Sequence, residues 1–170
     1  MNTADSEKLA AGFVRLGLKE TQVMDDATIV VINTCSIRQH AEDRAYSQLG
    51  RVRLQKKERP DLKVAVMGCM VGPKTKDLER RFPFVDAFAR PQEFEPIIEL
   101  LEGKEKDLGG EFWPTTWSIP DGPTAYVPVV HGCDKFCTYC IVPYRRGRER
   151  SRTVDEIVRE VGWLTESGAR

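Results

Sequence analysis

The chain has 170 residues, 41% hydrophobic and 31% charged, the balance of an ordinary globular protein long enough to bury a real core. Its 26 basic residues are matched by 26 acidic ones, which excludes a global field for nucleic acid and leaves any RNA contact to a local patch. Five cysteines, an odd count with three of them packed into eight residues, speak against a disulfide framework and for metal ligation in a reducing compartment. Apolar runs of about five residues are too short to span a membrane, so a cytoplasmic protein with no membrane partner is expected.

Residues 5–16 carry Leu9, Phe13, Val14 and Leu16 at helical spacing, with Asp5 or Ser6 as a cap and Gly17 as a stop. Residues 28–32 (TIVVI) are β-branched and wholly apolar, as in a strand buried on both faces, and Asn33-Thr34-Cys35 ends it. A long helix follows over 39–57, with Ala41, Ala45, Leu49 and Val52 on one face and Pro60 closing it. A second buried strand covers 63–67 and ends at Gly68-Cys69. Pro73 suits a helix start and the spacing predicts a helix over 75–81, a third strand over 84–88, and a helix over 93–101 with Ile97, Ile98 and Leu101 inward. Strands alternating with helices predict an α/β fold, a parallel sheet covered on both faces.

Ligands of such sheets gather at the carboxyl ends of the strands, where both Cys35 and Cys69 fall. Two cysteines so placed can face one pocket although 34 positions apart. The alternative is that each is a small buried hydrophobe, as most lone cysteines are.

Residues 103–124 turn rich in glycine and proline and read as a linker between domains 1–102 and 125–170, with Phe112, Trp113 and Trp117 packing onto one of them. Residues 126–130 then predict the first strand of a second unit. Thr153 and Glu156 form a capping box for a helix with Ile157, Val158, Val161 and Leu164 on its apolar face and Gly168 as its stop.

Between that strand and that helix lie Cys133, Cys137 and Cys140, spaced C-x3-C-x2-C. A structural zinc site takes four ligands, and only His131 stands close enough in sequence to be a fourth. Three thiolates on a four-iron cluster leave one iron open to bind something else. The spacing alone also admits a non-catalytic zinc or electron-transfer module. The run Arg145, Arg146, Arg148, Arg150 and Arg152 is the one concentrated basic patch, suited to phosphate or carboxylate, or else a solvated loop before a helix.

The loop GCDKFCTYC resembles the cluster loop of the radical S-adenosylmethionine superfamily, and NTCSIR at 33–38, GC at 68–69 and IVPYRRGRERSR resemble the methylthiotransferases within it. The resemblance runs over nearly the whole chain. It implies a flavodoxin-like, doubly wound amino-terminal domain followed by the first βα unit of a partial βα barrel. It implies two [4Fe-4S] clusters, one on Cys133, Cys137 and Cys140 that binds S-adenosylmethionine, and an auxiliary one with Cys35 and Cys69 among its ligands. The radical cluster delivers the electron that releases a 5′-deoxyadenosyl radical. Phe136 and Tyr139 are implied to shield that cluster, with Tyr139 near the adenine of the cofactor, plain packing being the alternative. His131 is implied to be a spectator.

Within the family, NTCSIR and the arginine run most resemble the branch that methylthiolates C2 of N6-dimethylallyladenosine at tRNA position 37. That implies tRNA and an electron donor of unknown identity as partners. The rivals are sibling enzymes acting on threonylcarbamoyl-adenosine in tRNA or on an aspartate of a ribosomal protein. The third auxiliary cysteine is implied in a GCQMN-like motif, two positions before Met1. The first strand and the rest of the barrel are not in the sequence, so a truncated chain with little activity of its own is the expectation.

Overall fold

The computed structural model describes residues 2–35, 39–72, 74–101 and 122–170. The expected linker up to residue 121, with Phe112, Trp113 and Trp117, lies outside the described residues, as do Ser36–Arg38 of the NTCSIR motif and Pro73.

Three parallel strands, β1 (Ile29–Thr34), β2 (Lys63–Gly68) and β3 (Ala87–Ala89), form a sheet in the order β1-β2-β3. β2 is central and alternates cleanly. Ala65 and Met67 face α1 (Asn2–Arg15) and α4 (Glu95–Ile98), packing with Leu9, Ala87, Ala89, Phe94, Ile97 and Ile98. Val64 and Val66 face α2 (Gln39–Glu58), packing with Ile32, Leu49, Val52 and Leu62. Two apolar faces on one strand make a doubly covered parallel sheet, as the run of apolar residues predicts. Each large aliphatic side chain so buried contributes about 1.5–3 kcal/mol.

β3 starts three positions later than expected and ends one later. Phe84 and Val85 are apolar because they pack beside Phe82 and Tyr46 at the edge of the second core, Phe82 stacking on Tyr46 at 5.9 Å. The strand register is set instead by Asp86, whose carboxylate accepts from the Val64 amide at 2.7 Å and from Lys56 Nζ of α2 at 2.9 Å. α4 is also shorter than the expected 93–101. Pro96 suits its first turn, and beyond Ile98 the chain tightens into i→i+3 bonds from Leu100 and Leu101. α3 (Lys76–Arg81) falls where expected.

The second unit contains β4 (Val130–His131), α5 (Val142–Arg146), β5 (Arg150–Ser151) and α6 (Val154–Glu166). The strand expected over 126–130 is reduced to two residues paired antiparallel with β5. A strand extends only where a neighbour takes up its ladder bonds, and among the described residues only β5 lies beside it. The capping box is present in full: Thr153 Oγ1 accepts from the Glu156 amide at 3.3 Å, and the Glu156 carboxylate accepts from the Thr153 amide at 2.9 Å. The inward face of α6 differs from expectation. Leu164 is buried and Ile157 half-buried, but Val158 and Val161 are exposed, and the residue sealed inside is Glu160.

Candidate metal centre

Cys133, Cys137 and Cys140 lie on one loop between β4 and α5, all as free thiols. Cys137 is exposed and the other two half-buried. The loop turns sharply because Phe136 takes a left-handed backbone (φ 46) and the Cys140 amide donates to the Cys137 carbonyl at 2.9 Å.

The base of the loop is closed residue by residue. His131 Nε2 donates to the Arg146 carbonyl at 2.9 Å, and the Cys133 amide donates to the Gly147 carbonyl at 3.2 Å. Gly132 (φ +75) presses on the Gly147–Arg148 backbone so closely that a Cβ there would overlap the Arg148 carbonyl. Asp134 Oδ1 accepts from the Glu149 amide at 3.0 Å and lies 3.5 Å from Arg148 Nε. Residues 131–134 are thus fastened to 146–149, with the three thiols in the loop so pinched off.

His131 is buried, and its ring is held neutral: burial, and then the charge of Arg146, push its pKa down to about 4. With Nε2–H committed to a carbonyl, its work is to close the loop. The aromatics expected to shield a cluster are outward. Tyr139 is 91% exposed, and Phe136 is 45% exposed beside Tyr144 at 5.9 Å edge to face.

The arginine run divides. Arg148 is exposed, but Arg146 and Arg152 are buried in ion pairs with Asp5 and Glu160 and cannot meet a phosphate from solution. Arg145 leans across the chain: a Cβ on Gly72 would stand 3.0 Å from its Nη1, so α5 lies over the turn that follows Cys69.

Cys35 and Cys69 follow the last rungs of β1 and β2, where Thr34 is registered with Gly68. The Cys69 amide donates to the Thr34 carbonyl at 3.0 Å, which sets the two cysteines side by side at the carboxyl edge of the sheet. Cys69 is buried and Cys35 half-buried. Asn33 reaches back to α1 through a 2.7 Å bond from Nδ2 to Ser6 Oγ. Among the described residues no three of His, Cys, Asp or Glu converge on a point that would hold a single metal ion. A cubane separates its sulfur donors more widely than one ion does, and a short loop bearing three free thiols fits that donor set. A groove of about 600 Å³ runs along β1 and α1, lined by Leu9, Phe13, Ile29 and Val31 among others, but none of the cysteines lines it.

Sequence reasoning missed Lys8, Glu160 and Thr34, and took Asp5 for a cap although α1 starts at Asn2 and holds it in the first turn. Lys8 and Glu160 are charged residues that read as surface on their helices, and nothing in a single sequence pairs Lys8 with a residue 152 positions away. Thr34, in view beside Cys35, reads only as a strand end.

Residues 1–89 match the model of the uncharacterized protein family UPF0004, and residues 127–170 that of the Radical SAM superfamily. The chain is 38% identical, over 99% of its length, to the tRNA-2-methylthio-N(6)-dimethylallyladenosine synthase of Dictyoglomus thermophilum, covering 40% of that protein. It is 41% identical over its whole length to the protein of the same name from a Ruegeria species, covering 41% of it. To the Bacillus pumilus protein of that name it is 38% identical, covering 35% of it. The chain therefore spans about two fifths of the length of these relatives. No helix among the described residues is long and apolar enough to cross a membrane.

Proposed function

The chain belongs to the UPF0004 family, with a radical SAM segment after its amino-terminal sheet, and from that premise we propose that it is part of a tRNA methylthiotransferase. The reaction proposed is insertion of a methylthio group at C2 of N6-dimethylallyladenosine, at tRNA position 37. The observation that carries this reading is the C-x3-C-x2-C loop, clamped at its base, within a chain about two-fifths identical to synthases named for that product.

Cys133, Cys137 and Cys140 would hold a [4Fe-4S] cluster, and a cubane on three thiolates offers an open iron to the amino acid end of S-adenosylmethionine and the electron that splits its sulfonium. The protein's own share is placement. The closed base holds the three cysteines on one short loop, and the exposed Tyr139 ring is available to stack on adenine. Cys35 and Cys69 would serve an auxiliary cluster at the carboxyl edge of the sheet. Arg145 of α5 reaches Gly72, three residues after Cys69. We place the amino-terminal domain at 1–102, a linker at 103–124 and the second unit from 125, in a cytoplasmic enzyme fed by an electron donor.

The names of the relatives favour the dimethylallyl branch over its siblings. The test is mass spectrometry of tRNA from cells lacking the gene, with and without a plasmid copy. Loss and recovery of the methylthio mark on dimethylallyladenosine is expected. An unchanged mark overturns the substrate, and purified anaerobic protein that binds iron yet yields no 5′-deoxyadenosine with strong reductant overturns the chemistry.

A further inference from the structure

Five charged side chains at the meeting of the two units are almost sealed from water. Asp5 and Lys8 lie one turn apart on α1, on the same face. Lys8 Nζ is 3.1 Å from Glu160 Oε1 on α6, with side chains 3% and 0% exposed. The other oxygen of Glu160 pairs with Arg152, which also donates to the Pro128 carbonyl at 2.9 Å and, from its amide, to the Val129 carbonyl at 3.0 Å. Asp5 Oδ2 stands 3.8 Å from Arg146 Nη2, again with both side chains buried. The carbonyl of that same Arg146 takes the His131 bond, and the next carbonyl, Gly147, takes the Cys133 amide. One face of α1 therefore reaches both ends of segment 146–152, the segment that closes the thiol loop.

We propose that Lys8 and Asp5 are positioning residues for the thiol loop, holding segment 146–152 so that the backbone of Cys133 is fixed in place. The proposal rests on the reading of Cys133 as a cluster ligand. An apolar contact between two units can slide at little cost. A desolvated ion pair is favourable in one geometry only and costly in all others, so it serves register better than bulk stability. Glu160, gripped by one cation from each unit, ties the docking of α1 to the exit of β5. Asp5 applies the same constraint to the Cys133 amide, through Arg146 and Gly147. The amino-terminal domain thus sets the loop of the second unit by electrostatics as well as by chain connection.

Backbone hydrogen exchange of the metal-free chain tests this. In Lys8→Met the Cys133 amide is expected to exchange about tenfold faster while the β2 amides keep their protection, and Lys8→Arg should restore the slow rate. Asp5→Asn should speed the same amide about threefold, and it decides the matter alone if Lys8→Met does not fold. After anaerobic reconstitution, the change that S-adenosylmethionine makes in the reduced-cluster spectrum should weaken in Lys8→Met and return in Lys8→Arg. A Cys133 amide exchanging at the wild-type rate in Asp5→Asn, and in Lys8→Met where that folds, overturns the proposal. Failure of the cluster reading would show separately, as wild-type protein without a spectral response.

Discussion

The hydroxyl of Thr34 donates to the carbonyl of Met67 at 2.7 Å across the β1–β2 boundary, and in the same place accepts from the Met70 amide at 3.2 Å. One buried side chain thus ties the end of the strand leading to Cys35 to the turn carrying Cys69. The turn needs it because Gly68 has a left-handed backbone (φ +100), and the strand ladder ends there.

Thr34→Val keeps the shape but strands a buried amide and weakens a buried carbonyl, a loss of about 1–3 kcal/mol. For a chain of this size that lowers the melting temperature by roughly 2–10 °C, while Thr34→Ser stays near wild type. Calorimetry on the metal-free protein checks it. Equal melting of the valine and serine variants would count against any such role for the hydroxyl.

Glycine substitutions should act in opposite directions. Gly132→Ala puts a methyl into the Gly147 carbonyl at 2.7 Å in a left-handed backbone, and a cost of about 1–3 kcal/mol is expected. Gly162→Ala stands mid-way along α6 with nothing within 4 Å of the new methyl. There alanine should stabilise by about 0.5–1 kcal/mol through helix propensity. Urea melts of the two variants decide the point, and a destabilising Gly162→Ala would mean that α6 is packed differently from the structure described.

Those contrasts also show what a single sequence can carry. β1, β2, α2 and the capping box are legible because each is a local pattern: an apolar run, a helical stripe, a Thr and Glu three apart. The thiol trio is legible for the same reason, being three cysteines in eight residues. β3 misleads because Phe84 and Val85 are apolar for packing around Tyr46, while the strand itself is two alanines about a phenylalanine, ordinary in composition. Glu160 is illegible. A carboxylate on a helix looks solvated until its cations, Arg152 and Lys8, are brought to it by the fold.

At the start of α6, Thr153→Ala removes the acceptor for the Glu156 amide and should cost about 1 kcal/mol. The Glu156 carboxylate is held below its usual range by the bonds from the Thr153 amide and hydroxyl. A lowered folded pKa gives stability that is present above the unfolded value of 4.5 and is lost as pH falls through the folded value. Acid melts should therefore show part of the wild-type loss below pH 4.5 missing in Thr153→Ala. Parallel acid limbs for the two proteins would show that the Thr153 hydroxyl makes no such bond in solution.

Asp5 carries the opposite sign. Burial drives its pKa up, against the charges of Arg146 and Lys8 and a bond from Gln92, from 3.8 to about 6. Its contribution is fully present below the unfolded value and is lost as pH rises to about 6, the range in which the unfolded chain gives up the proton that the folded protein still holds. Two pH units correspond to roughly 3 kcal/mol at most. Asp5→Asn has no proton to lose. The stability of wild type relative to Asp5→Asn should fall steadily between about pH 4 and 6 and run level above about 7. Urea melts at half-unit intervals from pH 4.5 to 8 would measure it, and a difference that stays constant across that range is incompatible with a carboxylate buried against Arg146.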